Sequence, residues 1–340
     1  MKRMTIAEAL REGIRGEMRR DKRVFCIGED IAIPGGWGGA FTVTLGLEQE
    51  FKERMINSPI SESGLFGAAL GAAMMGMIPL ADVQYGDFLF CAMDQVANQI
   101  AKMRYMSGGR LTVPLVMRAP VGATGRGAQH GQSLEPFFLP LQGIKILVPA
   151  TAYDALGLFR SAVRDGNPVL IFEHKLLYGS KGARAETGAI DASSEIPDED
   201  YTVPIGKAVV RRTGKDATII ATLLMMHRSL QAAELLAQEG IEAEVIDPRS
   251  LVPFDEETVR ASVGKTGRAV IVEESPKRGG IGAEIAAMLA ESAAESLLAP
   301  IKRVAAPNIP VPFAPPMENF YVPSVERIVT AVRDVCAYGT

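Results

Sequence analysis

The sequence predicts an α/β protein of two domains, each built on a parallel-sheet core. Three observations carry this expectation. Short apolar runs such as Val24–Gly28 and Pro168–Phe172 are continuous and do not alternate with polar residues, as strands buried on both faces require. These runs alternate with segments whose apolar residues recur at helical spacing. The alternation stops between Gly179 and Pro204, where the chain turns polar and acidic, and then resumes.

Taken in order, Thr5–Arg19 places Ile6, Ala9, Leu10, Ile14 and Met18 on one helical face. Val24–Gly28 follows as a buried strand. Ala32–Leu45, with its glycine cluster and the only tryptophan, Trp37, reads as a loop. A turn at Asn57–Ser61 opens a glycine- and alanine-rich helix that begins at Glu62, and Ile78–Gln84 is a strand. Leu89–Met106 reads as one long amphipathic helix, Leu111–Arg118 as a strand, and Ala119–Gln132 as a second glycine-rich loop. Lys145–Pro149 (strand), Tyr153–Arg164 (helix) and Pro168–Phe172 (strand) complete the first domain, residues 1–180. Residues 181–204 read as a linker. In the second domain, 205–340, strands at Ala217–Thr222, Ala243–Ile246, Ala269–Val272 and Ile301–Val304 alternate with helices at Ser229–Glu239, Glu256–Val263, Ile281–Ser292 and Val325–Val335.

Composition narrows the partners. A chain of 340 residues is too long for one ordinary domain, and 47% hydrophobic residues suffice for two cores. A net charge of −4 argues against nucleic acid or an anionic membrane as the main partner. The three cysteines, Cys26, Cys91 and Cys336, are far apart and form no CxxC pair, which suits a reducing, cytoplasmic setting. No signal or transit segment is visible at Met1–Met4. Ser63–Leu80 is uncharged, but it is rich in small residues and ends near Pro79, so it reads as a buried helix and strand and not as a membrane span.

Several chemistries lack their motifs. No GxGxxG opens a helix after a strand, and there is no Walker A loop and no GxSxG elbow. His130, His174 and His227 are dispersed, which gives no metal pair by spacing. What remains is Glu62, the aromatic pair Tyr85 and Phe88, and His130. Each lies after an expected strand or in a loop, where open α/β sheets place their ligands. Glu62 admits two readings. It either complements the dipole of its helix, or it is a carboxylate aimed at a ligand, with the small residues behind it admitting close packing.

Seven stretches in order give the chain a resemblance: Phe25–Asp30, Ser58–Glu62, Ala92–Gln95, Tyr105–Gly109, Gln129–Ser133, Arg164–Pro168 and Val245–Arg249. From Thr5 to about Val335 the chain resembles the β subunits of thiamine-diphosphate-dependent 2-oxo acid dehydrogenase E1 components, those of pyruvate, branched-chain 2-oxo acid and acetoin dehydrogenases. The resemblance implies a transketolase-like pyrimidine-binding domain followed by a transketolase C-terminal-like domain. It also implies roles. Glu62 falls where the family has the glutamate that hydrogen-bonds N1′ of the aminopyrimidine. Phe88 falls where an aromatic ring faces the pyrimidine, with Ile60 packing nearby. His130 matches the active-site histidine that handles protons or steadies the intermediate. Leu115, Ala162, Asp165 and Asn167 match positions that bind a potassium ion in relatives, chiefly through backbone carbonyls; by its residues alone Asp165–Pro168 is a simple turn. His174 and His227 read as structural residues.

Thiamine-diphosphate enzymes hold the diphosphate and its Mg²⁺ with a Gly-Asp-Gly motif, and this chain has none. The resemblance therefore implies a site shared with an E1 α subunit in an α2β2 assembly, which passes an acyl group from a 2-oxo acid or acetoin to a lipoyl E2 acyltransferase. The competing readings are a self-sufficient transketolase-like enzyme, a non-catalytic docking or assembly subunit of the same fold, and an acetoin-specific enzyme.

Overall fold

The computed structural model describes residues 1–180 and 185–339, so the first four residues of the expected linker, 181–184, lie outside the described residues. The chain divides into two compact units. The first contains Met1–Thr124 and Pro140–Ile205, and the second Gly125–Leu139 and Gly206–Thr340. Among the described residues no helix is long and apolar enough to cross a membrane.

The first unit opens with β1 (Lys2–Met4) and α1 (Ile6–Arg20). Thr5 starts α1 with a capping box: its hydroxyl accepts the Glu8 N–H (3.3 Å) while the Glu8 carboxylate accepts the Thr5 N–H (2.9 Å). There follow β2 (Val24–Gly28), the short α2 (Leu47–Phe51), β3 (Met55–Asn57), α3 (Glu62–Met74) and β4 (Ile78–Asp82). The expected long helix over Leu89–Met106 is instead three pieces: a 3₁₀ stretch Gly86–Ala92, a π-helical turn Gln95–Ile100, and α4 (Met103–Met106). Its apolar face is kept, because Val96 and Ile100 are buried. Side-chain spacing reports that face but does not distinguish α from wider winding, and such π turns recur at functional sites.

Next comes β5 (Val116–Val121), which starts five residues later than expected. Pro114 has no N–H for a ladder, and the chain enters the sheet only after it. In the second unit lies the one-turn α5 (Glu135–Phe138). Back in the first are β6 (Lys145–Leu147), α6 (Ala152–Asp165), β7 (Val169–His174) and β8 (Ser194–Ile196). Six strands of the first unit form a parallel sheet in the order β6-β7-β5-β4-β2-β3. All the residues of β2, β5 and β7 are buried; β2 and the Val169–Phe172 part of β7 are continuous apolar runs, while Arg118 on β5 and Glu173 and His174 on β7 are buried polar exceptions. Helices α1 and α6 pack closely at Gly13, where a Cβ would meet the Phe159 ring at 2.9 Å. The stretch read as a linker carries β8, which pairs antiparallel with β1 and buries Ile196.

The remaining elements of the second unit are β9 (Val209–Arg212), β10 (Ala217–Ala221), α7 (Leu223–Ala237), β11 (Ala243–Asp247), β12 (Ser250–Val252), α8 (Glu256–Thr266), β13 (Ala269–Pro276), α9 (Ile281–Ser292), β14 (Lys302–Ala306), α10 (Pro315–Tyr321) and α11 (Val325–Cys336). Its sheet runs β14-β13-β10-β11-β9, parallel except for the edge strand β9.

Candidate active site

The carboxyl ends of β2, β3 and β4 lie side by side, with Gly28 paired to both Asn57 and Asp82. Gly28 is required there, since a Cβ would come within 2.7 Å of the Asp82 carbonyl. From these ends the chain delivers three groups to one region of the first unit. Glu29 follows β2. Ser58 donates its N–H to the Gly28 carbonyl (2.8 Å), so the turn over 58–61 is fastened to β2 before Glu62 begins α3. Tyr85 and Phe88 follow β4.

Glu62 is half-buried at the first position of α3. Ile60, before it, is 83% exposed, an apolar side chain with no protein cover. Ser63, after it, donates its hydroxyl to the Cys91 carbonyl (2.6 Å), which joins the start of α3 to the 3₁₀ stretch carrying Phe88. Phe88 belongs to a chain of rings. It meets Tyr85 edge-on at 5.6 Å, Tyr85 meets Phe41 edge-on at 5.7 Å, and Phe41 stacks on Tyr178 at 5.0 Å. The Lys175 ammonium stands 5.2 Å from the Tyr85 ring centre.

Sequence reasoning missed Glu29 as a site residue. It is buried, accepts the backbone N–H of Ser61, and leaves Oε1 without a hydrogen-bond partner. Burial raises its pKa, and the neighbouring charge of Glu62 raises it further. The signal was present: an acid directly after an apolar strand closed by glycine falls at the carboxyl end of a sheet.

A second missed group lies deeper. Arg118 on β5 donates through Nε and Nη2 to Glu173 on β7 (2.8 and 2.6 Å) and through Nη1 to Asp82 on β4 (2.5 Å). The Tyr178 hydroxyl donates to the same Glu173 carboxylate (2.5 Å). This bidentate, hydrogen-bonded network ties together three adjacent strands. Burial pushes the Asp82 pKa up to about 6 despite the attraction of Arg118. At the end of β7, His174 is buried. Its Nδ1 accepts the Leu176 N–H (3.2 Å), and its Nε2 faces Gly122, where a Cβ would stand only 2.1 Å away.

His130 belongs to the second unit, whereas Glu62, Ile60 and Phe88 belong to the first. Its N–H donates to the Gly127 carbonyl (3.3 Å), and the loop is fixed where the Gly125 N–H meets the Glu318 carboxylate (2.6 Å). Five residues beyond His130, Glu135 is buried with Oε2 lacking a partner. Burial pushes its pKa up to about 8, and the charges of Glu274 and Glu273 add to this.

Asp165 ends α6 and Ala162 lies in its last turn, where helix carbonyls lack intrahelical donors. The side chains there are engaged: Lys145 pairs with Asp165, Asn167 Nδ2 donates to Asp165 Oδ1 (2.8 Å), and Arg104 donates to Asn167 Oδ1 (2.5 Å). The Leu115 carbonyl accepts the Val169 N–H (2.9 Å). The Asp165 carboxylate is neutralised by Lys145. Among the described residues no group of three or more His, Cys, Asp or Glu side chains could hold a metal.

Residues 2–181 match the transketolase pyrimidine binding domain family, and residues 206–328 match the transketolase C-terminal domain family. The chain is 44% identical to the acetoin:2,6-dichlorophenolindophenol oxidoreductase subunit beta of Cupriavidus necator, over 99% of each chain. It is 42% identical to the 2-oxoisovalerate dehydrogenase subunit beta of Bacillus subtilis, over 98% of this chain and 99% of the other. To the pyruvate dehydrogenase E1 component subunit beta of the same organism it is 40% identical, over 99% and 100%. A solved structure titled split gene transketolase, inactive beta4 tetramer, shares the fold with a TM-score of 0.78 over 99% of each chain at 23% identity. The two-domain fold, the matches along the whole length and the acid–aromatic cluster at the sheet's mouth agree, and the chain belongs to the β-subunit family of the thiamine-diphosphate-dependent dehydrogenase E1 components.

Proposed function

We propose that this chain is the β subunit of an E1 enzyme that acts on a 2-oxo acid or acetoin and transfers the acyl group to a lipoyl E2 partner. The observation that carries the reading is the constellation of Glu62, Ile60 and Phe88 at the carboxyl ends of β3 and β4. An apolar side chain left uncovered, a half-buried aromatic ring and a half-buried carboxylate fit a flat heteroaromatic ring that needs one hydrogen-bonding acid. Thiamine diphosphate, when bound, supplies the electron sink for cleavage of the bond next to the substrate carbonyl.

This chain's own residues bind and move protons. Glu62 would hold a pyrimidine ring nitrogen through its carboxylate and so supply the acid–base group there. Ile60 and Phe88 supply the apolar walls. Glu29 holds a proton longer than an ordinary glutamate, since burial and the Glu62 charge both disfavour its ionised form. His130 is the proposed proton-handling or intermediate-steadying group of its loop.

Without a Gly-Asp-Gly motif, the diphosphate and its Mg²⁺ are assigned to an α subunit, in an α2β2 enzyme. A monovalent cation, K⁺, is proposed at the carbonyls of Leu115, Ala162 and Asp165 beside Asn167; a higher thermal midpoint in K⁺ than in Na⁺ would support it, and equal midpoints would remove it. The domain division proposed is 1–180 for pyrimidine binding and 205–340 for the C-terminal domain, joined through 181–204. Three free cysteines accord with a cytoplasmic location.

Calorimetric titration of thiamine diphosphate with Mg²⁺ tests the shared site. The chain alone is expected to bind weakly or not at all, and the reconstituted complex tightly. Tight binding by the chain alone would overturn the two-chain assignment. Turnover of the complex with pyruvate, branched 2-oxo acids and acetoin then identifies the substrate.

A further inference from the structure

The second unit contains an open cavity of about 730 Å³ whose charged lining residues are all cationic. Lys277, Arg278, Arg303 and Arg327 surround it and no acidic residue does, on a chain whose net charge is −4. Two of the four are held in place by backbone. Arg303 Nη1 donates to the Lys277 carbonyl (2.9 Å), and Arg327 Nη2 donates to the Ala305 carbonyl (2.6 Å). Each guanidinium has five N–H donors, so most remain for a ligand. The loop bearing Lys277 is itself fixed. After a register break between Val272 and Pro276, pairing to β14 resumes at Pro276 and Ala306, and the Lys277 N–H donates to the Ala306 carbonyl (3.1 Å).

Of the neighbouring acids, buried Glu273 interacts with the Arg303 charge and accepts from the Ser275 hydroxyl (2.5 Å) and the Gly282 N–H (3.0 Å). Glu326 and Asp334 line an adjoining cavity with Arg303 and Arg327. Asp334 accepts from Lys302 (3.3 Å), and the Glu326 carboxylate is held below its usual range by hydrogen bonds from its own backbone N–H and from Ser324. Burial draws the Arg327 pKa down. Across the cavity Phe320 is 71% exposed, and Asn308 adds an exposed amide.

We propose that this cavity binds a small organic phosphate, with its phosphate or diphosphate on the arginines and a flat ring against Phe320. Glu273, Glu326 and Asp334 beside the cavity offset its four cations only in part, and an anion inside it would lower their mutual repulsion. Arginine matches phosphate oxygens with paired N–H donors, which a lone ammonium does not. The volume lies within the range of about 300–1,000 Å³ typical of small-molecule sites. The exposed aromatic ring offers a stacking surface that bare phosphate would leave unused.

The test is calorimetric titration with adenosine diphosphate, inorganic pyrophosphate and citrate, on the chain alone and on the reconstituted α–β complex. Both phosphates should saturate one site in both preparations, with adenosine diphosphate the tighter and citrate much the weaker. The exposed double variant Lys277→Gln/Arg278→Gln should lose about tenfold or more in affinity for both phosphates. Phe320→Ala should bring adenosine diphosphate down to the affinity of pyrophosphate and leave pyrophosphate unchanged. Absence of saturable binding, equal binding of citrate, affinities unmoved by the variants, or binding to the chain but not to the complex would each overturn the site.

Discussion

The Glu29 carboxylate accepts the backbone N–H of Ser61, the residue that precedes Glu62, and the charge of Glu62 raises the proton affinity of Glu29. Two strands, β2 and β3, thus deliver two acids to one place. The buried one keeps its proton to higher pH. Glu29→Gln retains an acceptor for the Ser61 N–H and removes the titrating group. The pH–rate profile of the reconstituted enzyme should lose the limb that lies above the ordinary carboxylate range. A limb that survives in the variant belongs to another residue.

Glu62→Gln tests the acid itself. Glu62 is half-buried and begins its helix without a cap from Ser61, so the fold depends on it little. Turnover of the complex should fall by about 10²–10⁴-fold, the range for a positioned acid–base group, with a thermal midpoint close to the parent. Unchanged turnover would leave the helix-dipole role as the only one for this carboxylate.

For Phe88→Ala the expectation divides between binding and stability. The edge-on contact with Tyr85 is worth about 0.5–1.5 kcal/mol beyond burial, and denaturant unfolding should report a loss of that order or somewhat more. Cofactor affinity of the complex should weaken by about tenfold, the equivalent of one apolar face. A stability loss with unaltered affinity would make Phe88 a core ring only.

Much of this architecture is legible in the sequence, for a physical reason. Strands buried on both faces favour apolar residues, so β2, the Val169–Phe172 part of β7 and most of β10 stand out, and the helical spacing of Ile6, Ala9, Leu10, Ile14 and Met18 marks α1. Winding is less legible: Val96 and Ile100 mark the same buried face whether the turn between them is α or π. Short edge elements such as β1, β3 and β9 bury too little to write a pattern. The linker expected over 181–204 failed to reveal β8 because three residues pairing with β1 leave only Ile196 as an apolar mark. At the site, Glu62 and Phe88 stand out by resemblance and position. The Asp82–Arg118–Glu173 network does not, since three charges far apart in sequence meet only when β4, β5 and β7 align.

That network carries its own prediction. Arg118→Leu leaves Asp82 and Glu173 buried on neighbouring strands without their cation. Removing one partner of a buried pair costs about 3–5 kcal/mol, and urea unfolding should show a loss of this size. Replacing all three by apolar residues of similar volume should cost much less. A loss below about 1 kcal/mol in the single variant, as for an exposed pair, would mean that water reaches the network.

Glu135 gives the second unit one pH-dependent contribution to stability. Its ordinary value is 4.5, and burial pushes it to about 8 in the fold. Below 4.5 the group is neutral whether folded or not, and it has no effect. Between 4.5 and 8 the unfolded chain releases a proton that the folded chain keeps, so stability falls as pH rises through this window. Above 8 both states are ionised and the penalty is complete. Asp82, pushed up to about 6, contributes a slope of the same sign that ends earlier. Glu135→Gln removes the upper part of the slope. Relative to the parent, the variant should gain on the order of 4 kcal/mol between pH 5 and pH 9, the linkage equivalent of that shift. Denaturant midpoints measured across that range decide it: parallel curves for parent and variant would show that Glu135 ionises without cost, and that its burial is relieved by water.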